Sequence, residues 1–191
     1  MGPTGIVLIV AGVVVLILIL WFVGAFNGLV RSRNEVKNSW SQIDVQLKRR
    51  YDLIPNLVNT VKGYAAHEKG TFEKVAEARS ACMKASAAGD IGELSKQEGF
   101  LTQALKTLFA VAEAYPELKA NQNFLALQEE LTSTENKISF SRQFYNDTVL
   151  KMNNKVETIP TNVVAGLCGF KKEVFFEIAA TAEKEAPKVS F

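Results

Sequence analysis

The sequence predicts an all-α membrane protein, in which an N-terminal transmembrane helix precedes an antiparallel, up-down bundle of about four long helices. Three observations predict this fold. Ile6 to Phe26 contains no charged residue. Between Arg31 and Ile159 proline and glycine are scarce, and apolar residues recur at spacings of three and four, the period of a helix packed on one face. The breaks between these helical stretches are short, which favours antiparallel neighbours.

The N-terminal apolar run is long enough to cross a bilayer, which needs about 20 apolar residues in a helix. A helix of a soluble core is rarely apolar on every face over such a length. Trp21 lies near one end of the run, where aromatic rings favour the head-group level, and Arg31 and Arg33 close it. A cleaved signal peptide would need basic residues before a shorter run and a small-residue cleavage site, so we expect retention as an anchor.

The charge distribution predicts how the chain meets the membrane. From Arg31 to Gly70 there are eight Lys and Arg residues against four acids. This basic excess next to the span suits anionic lipid head groups, and we assign Arg31, Arg33 and Lys37, with Trp21, to the membrane surface. The positive-inside rule places the helical domain in the cytoplasm of a bacterial cell with a single-pass anchor. A nucleic-acid partner is not expected, because no dense basic patch with interleaved aromatic residues is present.

The chain divides into an anchor at residues 1–30, a helical bundle at 31–170 and a short C-terminal helix with a tail at 171–191. The first bundle helix has a heptad seam that continues from the membrane helix. Pro55 interrupts this seam, and a kink or short break is expected there, because proline removes a helical hydrogen bond. The seam comprises Val36, Trp40, Ile43, Leu47, Tyr51, Ile54, Val58, Val61 and Ala65.

Turn and capping residues place the remaining helices. A second helix runs from about Pro55 to Ala87 and ends in a turn at Gly89. Asp90, with Glu93 three residues later, resembles a capping box that starts a third helix, which extends to Tyr115. A fourth helix begins at Pro116 and ends near Thr158. Its most regular repeat is at intervals of seven: Phe124, Leu131, Ile138, Tyr145 and Met152.

Residues 161–170 are glycine-containing and apolar, and we expect a loop or a short helical turn that covers the end of the bundle. Residues 171–185 are expected to form a short amphipathic helix.

Two sequence blocks resemble the LemA family of bacterial membrane proteins. They are NSWSQIDVQLKRRYDLIPNLVNTVKGYAAHE at 38–68 and YPELKANQNFLALQEELTSTENKISFSRQFYNDTVLKMNN at 115–154. The resemblance implies a single anchor and a domain of long antiparallel helices, but it supplies no reaction. Some members are linked with membrane-bound zinc proteases, and a related protein belongs to the magnetosome membrane system.

The most polar stretch, RRYDLIPN at 49–56, supplies the candidate interaction residues of the first block. Glu135 and Arg142 in the second block are two helical turns apart and point the same way. We hypothesise that Arg49 or Arg50 pairs with Glu135, and Asp52 with Arg142, because buried pairs of this kind fix helix register. The full set of expected structural or interaction residues is Trp40, Arg49, Arg50, Asp52, Pro55, Glu135, Arg142 and Tyr145.

Catalytic, cofactor and metal sites are not predicted, and the chain is interpreted as a non-enzyme. His67 is the single histidine, and a zincin motif would need a second histidine where Thr71 stands, so His67 is expected at the surface or at a helix cap. Cys82 and Cys168 lie far apart in sequence and are expected to be buried thiols that pack as small hydrophobes. No phosphate loop or nucleophile elbow appears.

The leading functional hypothesis is a membrane-anchored scaffold that self-associates at the membrane surface and shapes the membrane. Self-association would use the stalk from Val30 to Arg50, with its apolar seam, Trp40 and basic flank. The alternative is an adaptor or substrate-presenting partner of a membrane protease or envelope-stress system, which predicts co-purification with a protease and little self-assembly. A third hypothesis is an enzyme or small-molecule receptor with a bundle pocket near Arg50, Asp52 and Glu135.

Overall fold

The computed structural model describes residues 2–177, and within that range the chain is helical and contains no strand. This confirms the predicted all-α fold with one long apolar N-terminal helix followed by further helices. The helices are α1 Pro3–Lys62, α2 Lys69–Ala88, α3 Ile91–Glu113, α4 Pro116–Lys119, α5 Gln122–Glu157 and α6 Thr161–Leu167.

The N-terminal part of α1 has the length and composition of a membrane span. It contains an 18-residue window that is apolar enough to cross a bilayer, and none of that window is buried within the protein. The side chains from Ile6 to Leu20 are therefore available to lipid on every face, which is what an isolated membrane helix requires.

Pro55 does not end a helix, so the prediction that the second helix starts there is wrong. α1 runs through Pro55 to Lys62 without interruption. The turns around the proline are packed through the buried Tyr51, Ile54 and Leu57, and we attribute the tolerance of the missing hydrogen bond to this burial. The chain breaks instead after Lys62, where the amides of Tyr64 and Ala65 donate to the carbonyl of Val61 at 3.0 and 2.9 Å.

The α2–α3 turn forms where the sequence predicts it, but the capping box does not close, since the Asp90 amide donates to the carbonyl of Ala85 at 3.3 Å. Gly89 adopts φ 69°, the left-handed conformation that glycine enters without steric cost, and its amide donates to the carbonyl of Ser86 at 3.0 Å. The Asp90 carboxylate then accepts from the amide of Glu93 at 2.9 Å and caps α3. The Glu93 side chain accepts from Gln97 one turn ahead.

The predicted fourth helix is divided into α4 and α5. The break lies at Ala120 and Asn121, and the Asn121 side chain accepts from the amide of Phe124 at 3.1 Å, which gives α5 its own N-terminal cap. α5 ends at Glu157, next to the predicted Thr158, and α6 is the expected short helical turn. Residues 171–177 are not helical, contrary to prediction, and 178–185 lie outside the described residues.

The described residues form two compact units, and α1 and α5 contribute to both. Residues 2–41 with 144–173 form the membrane-proximal unit, which contains the apolar window. Residues 42–143 with 174–177 form the second unit. The heptad residues of α5 are buried as predicted: Phe124, Leu131 and Ile138 in the second unit, Tyr145 and Met152 in the membrane-proximal unit.

Candidate functional site

A cluster of buried polar side chains lies in the core of the second unit, and we call it the Arg50 cluster. Arg50 on α1 and Glu98 on α3 are almost fully buried, although charged side chains are rarely buried unless they are paired. The members of the cluster are Arg50, Tyr51, Cys82, Glu98, Thr102 and Glu135.

The Arg50 guanidinium holds the cluster together. Its Nη1 donates to Glu98 Oε2 at 2.8 Å, and its Nη2 donates to Thr102 Oγ1 at 2.8 Å. Glu135 Oε2 on α5 lies 3.2 Å from the same Nη1. The Tyr51 hydroxyl donates to the other Glu98 oxygen, so both oxygens of this buried carboxylate are satisfied. The cluster therefore joins α1, α3 and α5 by charge-assisted bonds.

Burial keeps the other two ionisable members neutral. Burial, followed by the nearby Glu98 carboxylate, raises the pKa of the Tyr51 phenol well above its ordinary value. The same two causes, in the same order, raise the pKa of the Cys82 thiol. Cys82 is consequently an inert buried thiol at neutral pH and not an activated nucleophile.

A cavity of about 200 Å³ lies beside Arg50. The Arg50 Nε has no hydrogen-bond partner, so the cluster retains one unused donor. Polar and apolar side chains line the cavity together: Arg50, Thr102, Leu105, Lys106, Phe109, Leu131, Thr132, Glu135 and Asn136. The cavity therefore offers hydrogen-bond donors from Arg50 and Asn136 and apolar contacts from Leu105 and Phe109.

The structure places one of the two hypothesised ion pairs and excludes the other. Arg50 contacts Glu135, whereas Arg49 pairs with Glu130 at 2.7 Å on the exposed surface. Asp52 is exposed, and no ion pair joins it to Arg142 in the described part of the chain.

Helix direction explains why the second pairing is wrong. α1 and α5 run in opposite directions in the second unit, because Tyr64, after the end of α1, bonds to Asn121, just before α5, whereas the earlier Arg50 meets the later Glu135. Moving two turns forward on α5, from Glu135 to Arg142, therefore moves two turns backward on α1, to about residue 43. Asp52 follows Arg50 on α1, whereas the turn that faces Arg142 precedes Arg50, so Asp52 and Arg142 lie far apart along the helices.

Trp40 and Tyr145 meet in the membrane-proximal unit. Their ring centroids are 5.4 Å apart in an edge-to-face arrangement, which is the favourable geometry for aromatic pairs. Burial, with a smaller contribution from Glu173, raises the pKa of Tyr145 to about 12. Beside this pair, the hydroxyls of Ser39 and Thr148 lie 2.9 Å apart. The seam of the stalk is thus occupied by α5 within this unit.

The end of the membrane span is tied to the end of α5. Lys155 Nζ donates to Ser32 Oγ at 2.6 Å and to the carbonyl of Gly28 at 3.2 Å. The Phe170 ring lies 5.8 Å from the Phe26 ring, and the Arg33 guanidinium lies 5.1 Å from the Phe170 centroid.

The other residues assigned to the membrane surface are solvent-accessible. Trp21, Arg31 and Lys37 are exposed on α1, and Arg33 is also exposed although it contacts Phe170. They remain candidates for lipid contact.

Sequence reasoning missed Glu98, although the pattern contained a signal. The buried apolar residues of α3 are spaced by three and four, and Glu98 occupies one of the core positions between Leu94 and Leu101. A charge at a core position of a helix needs a buried partner, and Arg50 supplies it. The signal was the interruption of an apolar pattern by one acid.

The histidine and cysteine predictions have different outcomes. His67 is exposed, as expected. Cys82 is buried, but Cys168 is exposed, because it follows the last residue of α6 at the protein surface, so the expectation of two buried thiols is wrong for Cys168. Among residues 2–177 no group of three or more His, Cys, Asp and Glu side chains is arranged to hold a metal ion.

Comparisons with known proteins place this sequence in a family. The sequence model that describes the LemA family matches residues 39–191. Protein LemA of Metamycoplasma hominis is 31% identical over 145 residues, covering 75% of this chain and 65% of that protein. Magnetosome protein MamQ 2 of Paramagnetospirillum magneticum is 25% identical over 199 residues, covering 92% of this chain and 73% of the relative. MamQ of Magnetospirillum gryphiswaldense is 23% identical over 198 residues, with the same coverage. Because the family model spans most of the sequence, this chain belongs to the LemA family.

Proposed function

We propose that this chain is a non-enzymatic, membrane-anchored helical scaffold that self-associates at the membrane surface. Its apolar window and its family support membrane attachment. The relatives named as magnetosome proteins favour a role at a membrane over a soluble reaction. The Arg50 cluster favours a structural role, since its buried carboxylate is fully bonded.

The surface proposed for self-association differs from the one expected from the sequence. Val36 and Ser39 of the stalk are buried, and Trp40 packs on Tyr145 of the same chain. The seam is therefore not available to a second copy, and another apolar surface has to make the contact.

The observation that carries the proposal is the outward face of α5 in the second unit. Phe140 is 74% exposed and Leu125 is 47% exposed on a helix whose opposite face is fully packed. We call this face the α5 surface; it comprises Leu125 and Phe140 with Glu129, Thr132 and Lys137 between them. It lines an open groove of about 740 Å³. Fully burying a phenylalanine side chain is worth about 1.5–3 kcal/mol, so a partner that covers Phe140 gains substantially.

A second copy fits this surface chemically. Glu129 and Lys137 give the α5 surface both signs of charge, so two identical faces can pair each acid of one copy with a base of the other. Anchoring holds copies in one plane, which raises their effective concentration and allows a modest contact to form an assembly.

The test is the oligomeric state of the full chain in mild detergent and in nanodiscs, measured by native mass spectrometry. We expect oligomers for the unaltered chain and a shift to monomers for Phe140→Ser. Phe100→Ser is the matched control, because Phe100 is also an exposed phenylalanine, 59% exposed on α3, but lies outside the α5 surface. A monomer under both conditions would contradict self-association, and co-purification of that monomer with a membrane protease would favour the adaptor hypothesis.

The positive-inside rule supports a cytoplasmic helical domain, since Arg31, Arg33 and Lys37 directly follow the apolar run. A Thr107→Cys variant in a Cys168→Ser chain tests this orientation. A membrane-impermeant maleimide should label it only after cells are opened, and labelling of intact cells would reverse the assignment.

A further inference from the structure

Three apolar residues in and next to α6 are exposed to solvent. Val163 and Leu167 lie one turn apart on α6 and are 57% and 74% exposed, and Ile159, two residues before the helix, is 85% exposed. The opposite side of α6 is packed, since Val164 and Ala165 are buried. α6 is therefore apolar both where it contacts the protein and where it does not, and an exposed apolar cluster of this kind marks an interaction surface. We call these three residues the α6 tip.

The α6 tip lies between two segments that touch the end of the membrane span. On the N-terminal side of the tip in the sequence, Lys155 Nζ donates to the carbonyl of Gly28 at 3.2 Å. After it, the ring of Phe170 lies 5.8 Å from the ring of Phe26, which is the last residue of the apolar run. Both contacts are within the membrane-proximal unit. Because α1 leaves the bilayer at about Phe26, the tip is held at the level of the head groups.

The charges around the tip suit an anionic membrane. Arg33 lies over the Phe170 ring, Arg31 is exposed two residues earlier on α1, and Lys171 is exposed immediately after Phe170. Lys172 is paired with Glu157 and contributes less. Apolar side chains flanked by basic residues are the pattern of interfacial segments, which lie about 5–10 Å into the head-group boundary.

We propose that the α6 tip is a second membrane contact, inserted into the leaflet in which α1 ends, and that its occupant is anionic lipid. A surface covered by a second copy would not need to lie at the end of the span or to be flanked by cations. Two contacts on one leaflet, the span and the tip, would fix the rotation of the membrane-proximal unit about the axis of α1.

The test measures the depth of side chains in the bilayer for the full chain. Cys168 follows Leu167 and is exposed, while Cys82 is buried, so the unaltered protein accepts one fluorescent label next to the tip. The chain is reconstituted in vesicles of phosphatidylcholine and phosphatidylglycerol that carry spin-labelled lipids. Quenching of the label's fluorescence by the spin-labelled lipid is compared with its quenching by aqueous iodide. The control carries Ser41→Cys with Cys168→Ser, since the exposed Ser41 lies about four helical turns beyond Phe26.

We expect the label at Cys168 to be quenched by spin-labelled lipid and protected from iodide several-fold relative to the label at Ser41→Cys. Val163→Asp with Leu167→Asp should reverse both effects while the chain stays in the membrane fraction, which separates this contact from anchoring by α1. Equal iodide quenching at both positions would overturn the proposal. Protection from iodide without quenching by lipid would also overturn it, because the tip would then be covered by protein.

Discussion

The Arg50 guanidinium lies 2.8 Å from the Glu98 carboxylate, and only 3% and 2% of these two side chains are exposed. Each charge gives up its hydration to lie in the core of the second unit, and the mutual hydrogen bonds compensate for that loss. Because Arg50 comes from α1 and Glu98 from α3, the pair also specifies which turn of one helix faces which turn of the other. Buried ion pairs are well suited to fixing register in this way.

Glu98→Ala should destabilise the second unit by about 3–5 kcal/mol, because it leaves the Arg50 charge buried without its closest partner. It also removes the acceptor of the Tyr51 hydroxyl. The free energy of unfolding of the full chain in detergent, measured with denaturant and followed by circular dichroism, gives the change.

The control for this prediction is Arg49→Ala, which breaks the exposed pair with Glu130. Exposed ion pairs contribute about 0–1 kcal/mol, so this variant should be nearly neutral. The double variant Arg50→Met, Glu98→Leu should recover part of the stability that Glu98→Ala loses, because it leaves no buried charge unpaired, whereas the Tyr51 hydroxyl still lacks its acceptor. If Glu98→Ala and Arg49→Ala cost the same, the cluster has no special role in stability.

The sequence predicted the buried apolar positions of the two units better than the buried polar ones. The heptad residues of α5, from Phe124 to Met152, are buried as their spacing requires, since period alone decides which side of a helix faces the core. The partners of Arg50 depend on the axial offset between neighbouring helices, and this offset cannot be deduced from the sequence of a single helix. That is why Glu135 was assigned to Arg49 or Arg50 while Glu98, which makes the shorter contact, was missed.

Stability should fall at alkaline pH through Cys82 and Tyr51. The pKa of each group is raised on folding, from ordinary values of 9.0 and 10.0, so the unfolded chain loses these protons first. The stabilisation from each group is therefore fully present below its unfolded pKa and is lost as the pH rises above it, by about 1.4 kcal/mol per pH unit and group. Unfolding measured between pH 7 and pH 10.5 should show a decline that begins near pH 9.

Cys82→Ala should remove the part of this decline that begins near pH 9. Tyr51→Phe should reduce the part that begins near pH 10, to which the buried Tyr145 also contributes. Cys168→Ala is the matched substitution at an exposed thiol. A profile that is unchanged by Cys82→Ala would mean that the thiol ionises as readily in the folded chain as in the unfolded one.

The helix boundaries show where local sequence signals compete with packing. Pro55 is a strong breaker by its chemistry, yet α1 continues through it between buried turns. Ala120 and Asn121 carry no breaker, yet the chain bends there, because Asn121 can cap a new helix with its side chain. Tertiary packing lets α1 continue through Pro55, and a capping side chain starts α5 after Asn121. The heptad pattern predicts neither boundary.

Lys155→Met should loosen the attachment of α5 to the end of the membrane span. The ammonium donates to Ser32 Oγ and to the Gly28 carbonyl, and hydrogen bonds to charged groups are worth about 1.5–3 kcal/mol. Methionine keeps most of the side-chain volume, so the change reports the lost bonds. Hydrogen exchange of the amides from Thr158 to Phe170 should become faster. Lys151→Met, at an exposed position of α5, should leave this exchange unchanged.

Asp90→Ala should lower the stability of the second unit by about 0.5–2 kcal/mol, because it removes the side chain that accepts from the Glu93 amide at the start of α3. Asp90→Ser keeps an acceptor at this position and should retain most of the stability, since serine is an equally good N-cap residue. Gly89 precedes this cap in a left-handed conformation, and Gly89→Ala should be destabilising for a different reason, the steric cost of a Cβ at positive φ. Thermal unfolding of the three variants separates the two effects. An Asp90→Ser variant as unstable as Asp90→Ala would show that the carboxylate charge near the helix N-terminus, and not the cap hydrogen bond, stabilises α3.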